Sequence, residues 1–258
     1  MLLSCQNLCF AYADRPVLRG MNLSLAAGEV VALLGPNGSG KSTFLRCLLG
    51  QLRGAGEIRW DGKPLADWSP RGLARHVAYM AQSLLVDSDS RVGDVLRMGR
   101  APYLQAFGIE STRDIEVVRE VAQTLGLADL IRRPMDQLSG GQRQRVFLGR
   151  CLVQEPAVLL LDEPNTYLDL RHQVELGTLL RDLARTKNLA VLMASHDLNL
   201  SAQFAHRLIL LEEGAVAADG PPNDVLRADL LSRVYGIAME RVDHDGTAHV
   251  FPSIHLPE

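Results

Sequence analysis

The residues Gly35-Pro36-Asn37-Gly38-Ser39-Gly40-Lys41-Ser42-Thr43 follow the apolar run Val30 to Leu34 and open a helical stretch, Phe44 to Leu49. G-x-x-x-x-G-K-[ST] between a strand and a helix is the spacing of a phosphate-binding loop. Its glycines let the backbone wrap so that successive N–H groups point at phosphate oxygens, and the helix N-terminus adds partial positive charge. In such a loop Lys41 reaches the β- and γ-phosphates of a nucleotide, and the Ser42 hydroxyl ligates Mg2+. A second carboxylate-bearing strand is then required. The run Ala157-Val158-Leu159-Leu160-Leu161 ends on Asp162, which places a carboxylate at the carboxyl edge of a sheet, where ligands bind in open α/β folds. Asp162 is expected to hold Mg2+ through water, and Glu163 to polarise an attacking water as general base.

The rest of the chain must position these groups. At 258 residues it is long enough for one α/β domain with an inserted subdomain. A hydrophobic fraction of 47% with 22% charged residues argues against disorder, collagen and coiled coil. The net charge of −3 excludes a protein that holds a polyanion over its whole surface, so no nucleic-acid partner is expected. Of 27 basic residues only Lys41, Lys63 and Lys187 are lysines, and Lys41 alone sits where a motif demands one. Apolar runs reach six residues, far short of the ~20 that span a bilayer, and the N-terminus reads as no secretory signal. Cys5, Cys9, Cys47 and Cys151 form no CxxC pair and read as reduced structural thiols.

Leu2 to Tyr12, Met21 to Leu25 and Gly56 to Trp60 have the pattern of a small antiparallel layer. Glu29 to Leu34, Val158 to Leu161 and Leu189 to Ala194 are apolar on both faces, as strands of a covered parallel sheet must be, with Leu208 to Leu211 joining or flanking them. From Gln82 to about Glu155 the texture is helical. Ser111-Thr112-Arg113-Asp114 reads as a capping box, followed by Ile115, Val118, Ala122 and Leu125 on one face. A second long helix is expected from Asp169 to Ala184, with Leu170, Val174, Gly177, Leu180 and Ala184 along one side. Residues 219 to 258, with Pro221, Pro222, Pro252 and Pro257, read as an appended segment. In the tail, His244, His249 and His255 have no ligand-like spacing.

Leu138-Ser139-Gly140-Gly141-Gln142 stands before the Asp162 strand. Together with the two motifs above, it makes the chain resemble the nucleotide-binding subunit of ATP-binding cassette (ABC) transporters over about Leu2 to Tyr235. The resemblance implies an α/β P-loop cassette with a mostly parallel core sheet, an N-terminal antiparallel layer and a helical subdomain at about 84–155. The cassette domain would run from 1 to 240 and a tail from 241 to 258. It implies ATP and Mg2+ as ligands, with Gly35 to Thr43 on the phosphates and Tyr12 stacked on adenine. Gln82 matches the glutamine that senses the γ-phosphate, joins Ser42 and Asp162 at the metal and couples to the membrane subunit. Leu168-Asp169 matches the end of the loop that crosses the dimer interface, and His196 matches the switch histidine that orients Glu163 and the catalytic water. Cassettes of this family pair head to tail, so Ser139, Gly140, Gly141 and Gln142 would complete the ATP site of a second copy. Asn165 stands where the family usually has Thr or Ser, and Met80-Ala81-Gln82 replaces Leu-Pro-Gln.

Val92-Gly93-Asp94 through Pro102-Tyr103, with Phe107-Gly108, resembles the subgroup of importer ATPases for iron chelates, haem and cobalamin. So do Ser195 to Leu200, Gly220-Pro221-Pro222 and Val234-Tyr235-Gly236. The expectation is a homodimeric energy-coupling subunit at the cytoplasmic face of the inner membrane. It would be peripheral, bound to permease subunits and served indirectly by a substrate-binding protein. The alternative is a soluble cassette ATPase acting on a partner such as an iron–sulfur assembly scaffold. The Arg-rich helix around Arg143, Arg145 and Arg150 reads as interface and ATP-site electrostatics.

Overall fold

Runs of consecutive apolar residues become strands buried on both faces, and alternating runs become the half-buried layer. The computed structural model of the chain describes residues 1–82, 89–104, 109–166 and 168–253. Phe107, Gly108, His255, Pro257 and the start of the expected helical subdomain at 84 lie outside them. The chain begins with β1 (Leu3–Tyr12), β2 (Arg15–Leu25), β3 (Val30–Leu34), α1 (Lys41–Leu48), β4 (Ala55–Trp60) and β5 (Lys63–Pro64). It continues through α2 (Pro70–His76), β6 (Val77–Met80), α3 (Val92–Met98), α4 (Thr112–Thr124), α5 (Gly140–Leu152) and β7 (Val158–Asp162). After α6 (Leu170–Lys187) come β8 (Ala190–Ala194), α7 (Leu198–Phe204), β9 (Arg207–Glu212) and β10 (Ala215–Gly220). The last elements are α8 (Pro222–Val225), α9 (Ala228–Tyr235), β11 (Met239–His244) and β12 (Thr247–Pro252). Two compact units form, Met1–Asp67 with Gly177–Glu258 and Trp68–Leu176.

The first unit carries the expected antiparallel layer, in the order β2-β1-β4-β5. Leu3, Cys5 and Leu8 of β1 point inward, and β2 starts at Arg15, six residues before the expected Met21. A mixed sheet stands beside it in sequence, with β3 parallel to β8 and β9 and with β10 antiparallel to β9. All residues of β3 and β8 are buried, which is why their sequences show no alternation. This is the α/β fold with an antiparallel N-terminal layer that the sequence implies.

The expected face of α6 is half right. Leu180 and Ala184 are buried, but Leu170 is 71% and Val174 40% exposed, and Leu176 and Leu183 turn inward instead. Gly177 explains the shift in part. A Cβ there would stand 2.2 Å from the Phe204 ring, so the α7 ring seats directly on the glycine backbone. The C-terminal region is also more ordered than an appended segment. Gly236 at φ +69 ends α9 as a left-handed C-cap. Asp245-Gly246, both at positive φ, then form a two-residue hairpin turn that pairs His244 with Thr247. Ala248 and Val250 are buried, and Asn199 exchanges two hydrogen bonds with Val250, at 3.0 and 2.8 Å.

In the second unit β6 and β7 are parallel, with Val77 opposite Val158 and Met80 opposite Leu161. The Ser111 capping box forms, Ser111 N–H donating to Asp114 at 2.8 Å. Ile115 is 50% exposed, however, and Val117 takes the inward place beside Val118 and Ala122. Asp114 also meets a partner 14 residues away. Buried Arg100 donates to it at 2.7 Å, to the Val153 carbonyl at 2.7 Å and to Glu155 at 2.8 Å. Its guanidinium lies 3.8 Å from the Tyr103 ring centroid. Burial alone would raise the Asp114 carboxyl, but Ser111 and Arg100 outweigh burial and hold it below the usual carboxylate range. Its contribution to stability is therefore present above the unfolded carboxylate pKa and drains as pH falls through the lower folded value. Arg100→Met leaves Asp114 buried without its cation and should cost about 3–5 kcal/mol, read by denaturant titration. A loss below about 1 kcal/mol would show that the pair contributes no more than a surface pair.

The four cysteines are free thiols. Burial, reinforced by nearby Cys47, pushes the Cys5 thiol up to about 12. Burial pushes Cys47 to about 11 and, against the opposing charge of Arg150, Cys151 to about 12. These three buried thiols are protonated and unreactive at neutral pH, as a structural role expects. Among the described residues no helix is long and apolar enough to cross a membrane.

Candidate functional site

The phosphate loop leaves β3 at the carboxyl edge of its sheet. A Cβ on Gly35 would stand 2.5 Å from the Leu211 carbonyl oxygen and 2.8 Å from Ser39 Oγ, so only glycine fits. Gly38 at φ +81 and Gly40 at φ +103 take the left-handed backbone that glycine adopts without a steric penalty. Ser39 N–H donates to the Pro36 carbonyl at 3.2 Å, and Phe44 N–H closes the first turn of α1 on Gly40 at 2.8 Å. Gly40 is the N-cap and provides no side-chain cap, so the start of the helix carries orphan donors. The Ser39 hydroxyl is buried with no hydrogen-bond partner. Lys41, 6% exposed, donates to the Gly35 carbonyl at 2.7 Å and to the Pro36 carbonyl at 3.1 Å. An uncapped helix start, an unpartnered hydroxyl and a buried ammonium make a cradle that fits an anion such as a nucleotide phosphate.

Two more expected residues belong to this unit. Tyr12 ends β1, 46% exposed and edge-on to Phe10 with ring centroids 4.8 Å apart. His196 is exposed just beyond β8. Its neighbours are held on both sides, because Ser195 N–H donates to the Leu33 carbonyl at 3.0 Å and Asp197 caps α7 through Leu200 N–H at 2.8 Å.

The carboxylate pair belongs to the second unit. Asp162 ends β7, 2% exposed, and accepts a hydrogen bond from the Tyr79 hydroxyl at 3.2 Å. Glu163 follows at φ +50, a left-handed backbone that is costly for a residue with a Cβ. The β6–β7 register sets Met80 opposite Leu161, so two residues further along each chain Gln82 meets Glu163. Gln82 Nε2 donates to Glu163 Oε2 at 2.8 Å, and the Thr166 hydroxyl lies 3.5 Å from the same oxygen. The Ser139 hydroxyl accepts Gln142 N–H at 3.2 Å while Gln142 Oε1 accepts Ser139 N–H at 3.1 Å, a capping box that starts α5. Gln144 Nε2 donates to the Pro164 carbonyl at 2.5 Å, tying α5 to the segment after Glu163. Reasoning from sequence missed Tyr79, which reads as one more strand residue, and Arg100, whose three partners lie 14 to 55 residues away.

The family model described as "ABC transporter" matches residues 18–166. The chain is 37% identical over 241 residues to the iron(3+)-hydroxamate import ATP-binding protein FhuC of Bacillus subtilis, covering 93% of this chain and 90% of that one. It is 44% identical over 234 residues to the hemin import ATP-binding protein HmuV of Streptomyces coelicolor, covering 90% and 82%. A solved ABC transporter described as of metal-chelate type, in an inward-facing conformation, superposes with a TM-score of 0.85 at 28% identity over 98% of both chains.

Proposed function

This chain belongs to the ABC transporter family, and on that premise we propose that it is the ATP-hydrolysing subunit of an importer for an iron chelate or haem. The observation that carries the reading is the near end-to-end match to import ATP-binding proteins for iron(3+)-hydroxamate and hemin. Two copies would bind permease subunits at the cytoplasmic face of the membrane, with a substrate-binding protein serving the complex from the other side.

The roles are those that the family resemblance implies, and the chemistry of the side chains supports them. The Gly35–Thr43 loop cradles the phosphates, with Lys41 on the β- and γ-phosphates, and Tyr12 stacks on adenine. Ser42, Asp162 and Gln82 offer a hydroxyl, a carboxylate and an amide oxygen, the hard donors that Mg2+ prefers. With Gln82 Nε2 donated to Glu163, its amide oxygen is the atom left with ligand capacity. Bound there, Mg2+ would neutralise phosphate charge. Glu163 accepts a proton from the attacking water, Gln82 fixes the carboxylate that does so, and His196 orients the water. Ser139, Gly140 and Gly141, at the N-terminus of α5, meet the γ-phosphate held by the second copy, with Gln142 fixing that turn.

Co-expression with the many-helix permease encoded beside it, followed by purification in detergent, tests the assignment. Recovery of a stable complex whose ATPase rate responds to the permease is expected. Recovery with soluble partners alone would overturn it in favour of the soluble-ATPase alternative.

A further inference from the structure

Two segments that the proposed function turns toward a second copy are the Ser139–Gly141 turn and the loop ending at Asp169. They are joined within one copy by a residue that no motif of the chain names. His172 lies in the first turn of α6, where its backbone N–H donates to Asp169 Oδ1 at 2.9 Å. Its ring Nδ1 lies 2.7 Å from the same oxygen. An ionised carboxylate can only accept, so the ring presents Nδ1–H to Asp169, and the backbone and ring N–H groups of His172 together hold the Asp169 carboxyl below the usual carboxylate range. The same ring lies beside the Ser139–Gly141 turn. Its Cγ, Cδ2 and Nδ1 atoms lie 3.3, 3.4 and 3.5 Å from where a Cβ on Gly141 would stand. A Cβ at 141 would therefore press on the ring, which would have to give by a few tenths of an ångström. One imidazole thus stands beside the Gly141 backbone and hydrogen-bonds the Asp169 carboxylate. The Gln144 amide adds a second tie, to Pro164, one turn further along α5.

We propose that His172 is a positioning residue that locks the Ser139–Gly141 turn to Asp169, so that both surfaces meet the second copy's nucleotide as one rigid edge. This rests on the head-to-tail dimer proposed above. His172 acts only through the two groups it holds, so its loss should spare binding of nucleotide to a chain's own phosphate loop and weaken the step in which two loaded copies close. Packing alone does not meet this requirement, because a ring without a donor can fill the space beside Gly141 but leaves the Asp169 carboxylate held only by the backbone N–H of residue 172.

The test uses the full chain in the Glu163→Gln background, where hydrolysis does not consume the complex. Dimer formation with MgATP is followed by light scattering across protein concentration, and nucleotide affinity by fluorescence titration at dilute protein. His172→Ala should raise the concentration for half-maximal dimer about tenfold, with single-chain affinity changed less than about twofold and melting temperature within about 2 °C. With Glu163 restored, kcat should fall about as far as dimer formation does. His172→Phe keeps a ring against Gly141 without the donor and should behave like the alanine variant. Wild-type dimer formation by either variant overturns the proposal, as does a loss of single-chain affinity equal to the loss of dimer. If the Glu163→Gln parent itself forms no dimer with MgATP, the head-to-tail reading fails and the role of His172 falls with it.

Discussion

Replacing Lys41 with alanine should weaken MgATP binding by about a hundredfold, the largest loss expected from any single side chain of the phosphate loop. Lys41 is 6% exposed, and its ammonium is already directed into the loop by the Gly35 and Pro36 carbonyls, so little reorganisation is needed before it meets a phosphate. A charge-assisted hydrogen bond contributes roughly 1.5–3 kcal/mol. Its upper end is about two orders of magnitude in affinity at 1.4 kcal/mol per tenfold. The fold should survive, because Leu45 and Leu48 of α1 remain packed and Trp60 still donates to the Leu48 carbonyl at 3.0 Å. Fluorescent nucleotide titration measures the effect. An affinity within about threefold of wild type would mean that the phosphates are held by backbone alone.

Glu163→Gln should do the reverse, keeping nucleotide affinity while turnover falls by 10² to 10⁴, roughly what a positioned general base contributes. Glutamine preserves the size of the side chain and an acceptor for Gln82 but cannot take a proton from water. The backbone conformation at φ +50 is no worse for glutamine than for glutamate, so the variant isolates the chemistry. Phosphate release under saturating MgATP is the measurement. Turnover within a few-fold of wild type would move the base elsewhere.

Much of this arrangement is legible in the sequence, because the groups that hold it are local. The phosphate loop needs glycines at Gly35, Gly38 and Gly40 for reasons confined to a few residues, and the buried strands announce themselves as unbroken apolar runs. Helix faces are less legible. Periodicity assigns Ile115, Leu170 and Val174 to the core, yet which stripe turns inward depends on what packs against it, such as the Phe204 ring on Gly177. The hairpin at Asp245-Gly246 carried a recognisable turn dipeptide, obscured by the prolines and polar residues around it. Tyr79 with Asp162, Arg100 with Asp114 and Glu155, and His172 with Gly141 follow from tertiary pairing. No spacing rule links residues 83, 55 or 31 positions apart.

The central claim is that one copy of this chain holds only part of each hydrolytic site and that MgATP brings two copies together. The mass of the Glu163→Gln variant in solution tests it most directly. A shift from the single-chain mass of 28.3 kDa to twice that value is expected on adding MgATP, with no shift for the same variant carrying Lys41→Ala. A single-chain mass at saturating MgATP would contradict it.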